Sequence, residues 1–318
     1  MTAPAQWGRW REVGDGVLVR RHRTLDVNAG LVVGDDRCLV VDTRSSDREA
    51  RDLLAAVREV TRLPFVVATT HAHFDHCFGN ATFADAQAGC DIWGHERCRA
   101  DLVDRGEEQR AAMVAWLRNC GEETLADDVA DVVIVPPNRT FTDVVTVPLG
   151  GRDVVLHHPG RGHTDHDVVA DVRDAGVTFA GDLVEQGAPP SFDDSFPLEW
   201  PGTLTALLPR LGGVVVPGHG DVVNPDFVAS QLTDIAEVAD VAALDRIAED
   251  QGTIEVLTAF CATDSVRKAA ALVYRHHSTV AARLTQAEER LGFSLSTTEG
   301  RRRLDLALVL RHLRETAS

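Results

Sequence analysis

Short apolar runs alternate with longer stretches of helical period through the first 225 residues of the chain, and beyond Asn224 the period is helical throughout. "DGVLVRR" and "GLVVGDDRCLVVDT" predict strands, with "GDD" as a hairpin turn. "SSDREARDLLAAVREV" predicts an amphipathic helix with a serine cap. "LPFVVATT" predicts a buried strand and "CDIWGH" a short one, followed by a long helix from about Glu96 to Asn119. Further strands are predicted in "DVVIVP", "VVTVPLGG", "RDVVLHHPG", "DVVADVRDAGVTFAGD" and "GGVVVPGHG". Every polar cluster of chemical interest sits at the end of one of these strands. The pattern predicts an α/β domain over residues 1–248 and a small all-α domain over 253–318, with the boundary in "AEDQGT".

Composition fits that division. At 318 residues and 44% hydrophobic, the chain can bury one large core and one small one. No apolar run of about 18 residues occurs, so neither a transmembrane helix nor a membrane partner is expected. "MTAPAQWGRWREVGDG" has no apolar centre and does not read as a secretory signal, which predicts a cytoplasmic protein. The six cysteines (38, 77, 90, 98, 120 and 261) form no C-x-x-C pair and fit reduced thiols. The net charge of −17 is unevenly spread. From Thr253 onward ten Lys plus Arg stand against seven Asp plus Glu, giving +3 and leaving −20 on the first 252 residues. An acidic body with a basic tail suggests two units with different partners.

The strand "LPFVVATT" runs into "HAHFDH", which crowds His71, His73, Asp75 and His76 into six residues. His163 in "PGRGHTDHDV", Asp182 in "VTFAGDLV" and His219 in "VVVPGHGD" occupy comparable places. Imidazole and carboxylate suit zinc and its borderline neighbours. Two such ions about 3.5–4 Å apart can share one carboxylate and one hydroxide. A lone His-x-His on a surface is usually no site at all. The ordered set H-x-H-x-D-H, G-H-T, strand-end G-D and P-G-H-G is far more specific.

That set, over roughly residues 10 to 235, resembles the metallo-β-lactamase superfamily. The resemblance implies an αββα sandwich with its site at one edge of two sheets. It assigns His71, His73 and His163 to a first metal, Asp75, His76 and His219 to a second, and Asp182 to the bridge between them. It implies two divalent cations, zinc in the first place with iron or manganese as alternatives. The full set is similar to glyoxalase II-like and lactonase-like hydrolases. Class B1 β-lactamases carry Cys where this chain has Asp182, which argues against a β-lactam substrate. An iron-bearing persulfide-oxidising branch uses only His71, His163 and Asp182, and the additional ligands here argue against it. Asp42 in "LVVDT" matches a structural position near the site.

The resemblance implies metal-assisted hydrolysis, in which a hydroxide shared by the metals attacks an ester, thioester, lactone or amide of a small-molecule substrate. Asp75 would also guide a proton to the leaving group. Phe192, Phe196 and Trp200, in the segment after Asp182, either line an apolar pocket or anchor their own loop. The one tyrosine, Tyr274, lies elsewhere, which weakens a lactonase reading. No basic cluster near the site points to a glutathione or phosphate group. His166 and Asp167 are placed to orient a ligand imidazole, one of His157 and His158 to pack within a strand, and His95 to cap or pack.

The tail predicts helices near 253–262, 265–273, 278–291 and 298–315, with a turn at "RHHS". The spacing fits a helix-turn-helix, and equally a helical cap or dimerisation bundle. "HHSTVAARLTQAEERLGFSL" resembles the C-terminal helix-turn-helix of purine-catabolism and sugar-diacid regulators. His276, Thr279, Val280, Arg283, Leu284, Glu288, Gly292 and Leu295 match, while Ser278 stands where Asn is usual and Ala287 where Ile is usual. Ser278 is expected to cap the second helix, and Thr279, Arg283 and Gln286 to share one DNA-facing side, in a homodimer. The first function reading is therefore a metal-dependent hydrolase. The alternative is a transcription regulator whose metal domain senses or degrades an effector.

Overall fold

A computed structural model describes residues 7–248, 250–263 and 265–316. The first residues of the N-terminal stretch read for a signal, Glu249 of the expected boundary and Asp264 of the tail lie outside the described residues. Two compact units form. One holds the residues up to Phe196 together with Gly202–Gln231, and the other holds Pro197–Pro201 together with Leu232 onward.

The first unit is built on two stacked sheets. The first has the order β1 (Trp10–Gly14), β2 (Val17–Arg21), β3 (Asn28–Val33), β4 (Cys38–Val41), β5 (Phe65–Ala68), β6 (Ile92–His95) and β7 (Arg139–Phe141). Its first four strands pair antiparallel and the rest parallel. The second sheet contains β8 (Val144–Pro148), β9 (Asp153–His157), β10 (Val169–Val172), β11 (Val177–Glu185) and β12 (Val214–His219), with β12 parallel to β11. Alternate residues of the two sheets meet in one core. Val17, Val19 and Leu39 come from one side, and Leu156, Val172 and Phe179 from the other. Helix α1 (Asp47–Val60), capped by Ser46, lays Leu53 and Val57 on the outer face of the first sheet. Short helices α2 (Phe74–Cys77) and α3 (Asn80–Ala86) follow the "HAHFDH" segment, then α4 (Glu96–Asn119) and α5 (Glu123–Ala130) pack together over Phe74 and Phe78. Two sheets with flanking helices are the sandwich that the family resemblance implies.

The strand expected in "DVVIVP" does not form. The segment is apolar enough, but its backbone is engaged elsewhere. Arg110 Nη1 donates to the carbonyl of Val132 and Asn80 Nδ2 to that of Val135, so no ladder partner is needed. Prolines 136 and 137 then stop any extension, and the short β7 forms beyond them.

The remaining helices are α6 (Trp200–Leu207), α7 (Pro225–Ile247), α8 (Gln251–Thr263), α9 (Val266–Leu272), α10 (His277–Leu291) and α11 (Thr298–Thr316). The units divide within α7 rather than at 248–253, because Ala243, Leu244 and Ile247 of that helix belong to the core of the second unit. That core is completed by Leu257 and Phe260 of α8, Ala269 of α9, Val280, Leu284, Ala287 and Leu291 of α10, and Leu304 of α11. The inward residues of α10 recur at helical spacing, which leaves Thr279 and Gln286 exposed. One expectation is corrected. The cap of α10 is His276, whose ring accepts from the backbone N–H of Ser278, and Ser278 is already the second residue of the helix. Arg283 is half-buried, and its Nη1 stands 3.5 Å from the exposed Asp250. Among the described residues, no helix is long and apolar enough to cross a membrane.

Candidate metal centre

Strand ends of both sheets deliver the candidate ligands to one place. His71 and His73 leave β5, and α2 then turns Asp75 and His76 inward. His163 hangs from the β9–β10 loop, Asp182 sits in β11, and His219 ends β12. Their donor atoms form two groups, one of His71, His73, His163 and Asp182 and the other of Asp75, His76 and His219, each within 4.8 Å. Asp182 touches both. Its Oδ2 lies 3.7 Å from His71 Nε2, 3.6 Å from His163 Nε2 and 3.2 Å from His219 Nε2. Its Oδ1 lies 3.2 Å from His76 Nε2. Within the groups, His163 Nε2 is 2.9 Å from His73 Nδ1, and Asp75 Oδ2 is 3.3 Å from His219 Nε2.

Backbone irregularity aims these side chains. The β11–β12 register shifts at Gly181, whose φ of +54° suits glycine, and this bulge turns Asp182 toward the site. A Cβ at Gly218 would stand 1.7 Å from Asp182 Oδ1, so β12 can lie against that carboxylate only with glycine there.

The far nitrogens of four imidazoles are tied down. His76 Nδ1 donates to Asp42 at 2.8 Å, His71 Nδ1 to Thr70 Oγ1 at 3.0 Å, His219 Nδ1 to the Leu25 carbonyl at 2.8 Å, and His73 Nε2 to Asp194 at 3.2 Å. Each bond fixes the tautomer whose lone pair faces the centre. Asp42 is itself held by the N–H and hydroxyl of Thr70, both at 2.8 Å. Asp194 and Leu25 had no signal in the sequence. A loop aspartate and a backbone carbonyl become orienting groups only through tertiary approach.

The donor set fits divalent metal. His71 Nε2 is buried, aimed at Asp182, and has no hydrogen-bond partner, an arrangement that is costly unless an ion takes the lone pair. Nitrogen and carboxylate oxygen in groups of three and four are the donors zinc accepts. Electrostatics divides the imidazoles. Burial pushes His71 well below its ordinary range and His163 down to about 4, so both are neutral, the form that binds metal. Burial also opposes charge on His219, but the carboxylates of Asp182 and Asp75 outweigh it and hold the ring up to about 10. Asp182 is kept well below the carboxylate range, against its burial, by His76, His219 and His71.

The remaining expectations divide between those that hold and those that do not. His166 accepts from the N–H of Ala72 at 3.1 Å, and Asp167 accepts from the N–H and hydroxyl of Thr164 at 2.9 and 2.7 Å. They brace the ligand-bearing loops rather than an imidazole. His157 is buried on β9 against Asp171 at 3.0 Å, and His95 caps α4. Cys77 points away from the centre, with its thiol on the carbonyl of His73. A cleft of about 570 Å³ opens over the ligands. Its apolar wall is Leu25, Phe74, Met113 and Trp116; of the two readings of Phe192, Phe196 and Trp200, lining this cleft is the one that does not hold. Phe196 lies under the guanidinium of Arg161 at 4.7 Å and Trp200 is fully buried.

Comparison with known proteins agrees with this fold. The family described as the metallo-beta-lactamase superfamily matches residues 22–219, and the PucR C-terminal helix-turn-helix domain matches residues 253–310. Metallo-beta-lactamase type 2 of Bacillus cereus is 27% identical over 203 residues, covering 61% of this chain and 67% of its own length. The Bacteroides fragilis protein of the same name is 30% identical over 97 residues, which span 39% of its length. Among solved structures, a metallo-beta-lactamase from Pontibacter korlensis superposes with a TM-score of 0.58 at 19% identity, over 71% of this chain and 98% of the other. The DIM-1 metallo-beta-lactamase gives 0.56 at 18% identity, over 71% and 95%. At such identities the solved structures speak for the fold alone.

Proposed function

The chain belongs to the metallo-beta-lactamase superfamily, and from that premise we propose that its first unit is a hydrolase holding two divalent cations, zinc before iron or manganese, and cleaving an ester, thioester, lactone or amide. One observation carries the reading: Asp182 stands within 3.7 Å of ring nitrogens from both donor groups. His71, His73 and His163 would hold one ion, Asp75, His76 and His219 the other, and Asp182 both. When bound, such a pair supplies Lewis acidity and a water acidic enough to act as nucleophile near neutral pH.

The chain's own groups do the rest. Asp42, Thr70, Leu25 and Asp194 hold the imidazoles in their binding tautomers before substrate arrives, so no reorientation is needed during reaction. The Asp75 carboxylate lines the cleft and is placed to take a proton from the attacking water and pass it to the leaving group. Phe74, Met113 and Trp116 cover the apolar part of a substrate and exclude water from it. The curated relatives are named as β-lactamases, but Asp182 in place of Cys keeps carboxylic esters and thioesters ahead of β-lactams.

The test is elemental analysis of chelator-free protein, with two ions per chain expected, followed by a screen of esters, thioesters, lactones and β-lactams. A loaded protein that binds fewer than two ions, or that turns over nothing in the screen, would defeat the reading.

A second reading follows from the helix-turn-helix match. The exposed Thr279 and Gln286 on α10 favour DNA binding by the second unit of a homodimer, with the metal unit sensing or degrading an effector. Binding of a two-fold symmetric site by the full chain, altered when substrate is added, is its test. Full-length protein that binds no duplex DNA at low salt would leave the hydrolase reading alone.

A further inference from the structure

The walls of the cleft differ in charge and polarity. On one side stand Phe74 and Met113 with Trp116, which is 46% exposed although it is the largest apolar side chain of α4. Beyond the donor groups, the lining adds the carboxylates of Asp101, Glu108, Glu185, Asp193 and Asp194. Among the described lining residues Arg105 is the one guanidinium, and no lysine is present. Arg105 is already taken, since its Nε donates to Asp101 at 2.7 Å and Asp194 and Glu108 act on it as well. Asp194 is spent on His73 and Glu185 accepts the N–H of Ser191, which leaves Glu108 and Asp193 facing solvent.

We propose that this cleft selects substrates carrying a cationic ammonium group on an apolar body, and discriminates against those carrying a second carboxylate or a phosphate. The inference rests on the hydrolase reading and names its substrate class. An exposed indole beside carboxylates that outnumber the one guanidinium of the rim attracts a cation twice over, through the ring face and through the field of the rim. Away from the donor groups, a second carboxylate would meet only Arg105 among the described lining residues, and would have to displace Asp101 to reach it. Asp75 and Asp182 mark the place where ions held by the donor groups would polarise a scissile carbonyl, and the rim would then read the substituent carried beyond it.

A matched series separates charge from shape. Nitrophenyl esters of 4-trimethylammoniobutyrate and 5,5-dimethylhexanoate are isosteric and differ in the charge of the far end, and that of glutarate carries a smaller anionic group there. With metal-loaded full-length protein, kcat/KM should fall in that order, about tenfold from first to second. The preference should shrink as salt is raised. Binding provides a readout that needs no turnover. By calorimetry, thiocholine should bind more tightly than 3,3-dimethylbutanethiol, and 3-mercaptopropionate most weakly. The double variant Glu108→Gln/Asp193→Asn should compress the cation-to-neutral ratio in both assays by about fivefold. Equal or tighter binding of the anionic thiol, no binding of any thiol, or an unchanged ratio in the double variant would overturn the proposal. If thiols follow the charge order and no ester is cleaved, the hydrolase reading falls while the recognition stands. If esters are cleaved with the glutarate preferred, the recognition falls and the hydrolase reading stands.

Discussion

Asp42 meets His76 across 2.8 Å, Oδ2 to Nδ1, and does so from a backbone held at a φ of 62°. That left-handed conformation is costly for a residue with a Cβ, and such strain gathers where a side chain must be aimed. Asp42→Ala should weaken metal binding by about 10–100-fold, the usual effect of losing a carboxylate behind a ligand imidazole. Competition against a chelator of known affinity measures it. Wild-type affinity in the variant would show that His76 is oriented by other means.

Asp182→Ala should cost more than Asp42→Ala. The carboxylate is in contact with both donor sets, and its removal leaves four imidazoles facing each other around a gap. Metal content should fall below two per chain and hydrolysis by roughly a thousandfold or more, as expected for a group that both binds and positions. Full occupancy with undiminished turnover would remove the bridging role.

Chelation should act on one unit only. Ligands that bind the folded state alone stabilise it by about 2.7 kcal/mol at a hundredfold excess over Kd. For a unit of this size that corresponds to a shift of roughly 5–10 °C. Scanning calorimetry with and without chelator should move the transition of the first unit down and leave that of the second in place. Two transitions moving together would tie the helical unit to the metal.

His22 provides a pH test away from the ligands. Burial, reinforced by Arg44 and Arg20, depresses its ring to about 2. The unfolded chain takes up a proton near pH 6.5 and the folded chain does not, so stability falls as pH drops below 6.5 and is unaffected above it. Relative to wild type, His22→Gln should gain about 1 kcal/mol of stability between pH 7.5 and 5.5. Urea unfolding of chelator-treated protein at the two pH values gives the comparison. A difference that does not change with pH would mean that the ring is protonated in the fold.

On α10 the exposed and the tied residues should behave differently. Gln286→Ala and Thr279→Ala should weaken DNA binding with little effect on folding. Arg283→Ala should also destabilise the second unit, because it releases Asp250. DNA affinity should fall steeply with salt, by roughly 0.9 in log–log slope per phosphate contacted. Polarisation titrations alongside thermal melts separate the two effects, and a strong loss of binding with unchanged stability in Arg283→Ala would return it to the DNA-facing set.

Much of this was legible in order along the chain. Candidate metal donors gathered at one edge of two sheets show as short polar motifs within or directly after apolar runs, and the seven residues that meet there are those of "HAHFDH", "GHT", "GD" and "PGHG". The helices of the tail were legible because their apolar period is local. Period alone failed at "DVVIVP", where donors from Arg110 and Asn80 arrive from distant positions and take the carbonyls a strand would have used.

The sequence by itself determined which candidate donors the chain offers, since donor identity is a property of side chains. The tertiary structure alone decided what surrounds them. Met113 and Trp116 read as ordinary positions of a long helix until α4 lies along the cleft, and Asp194 reads as loop until it reaches His73. Recognition and orientation are made between residues far apart in the chain, and no local pattern encodes a distance that only packing sets.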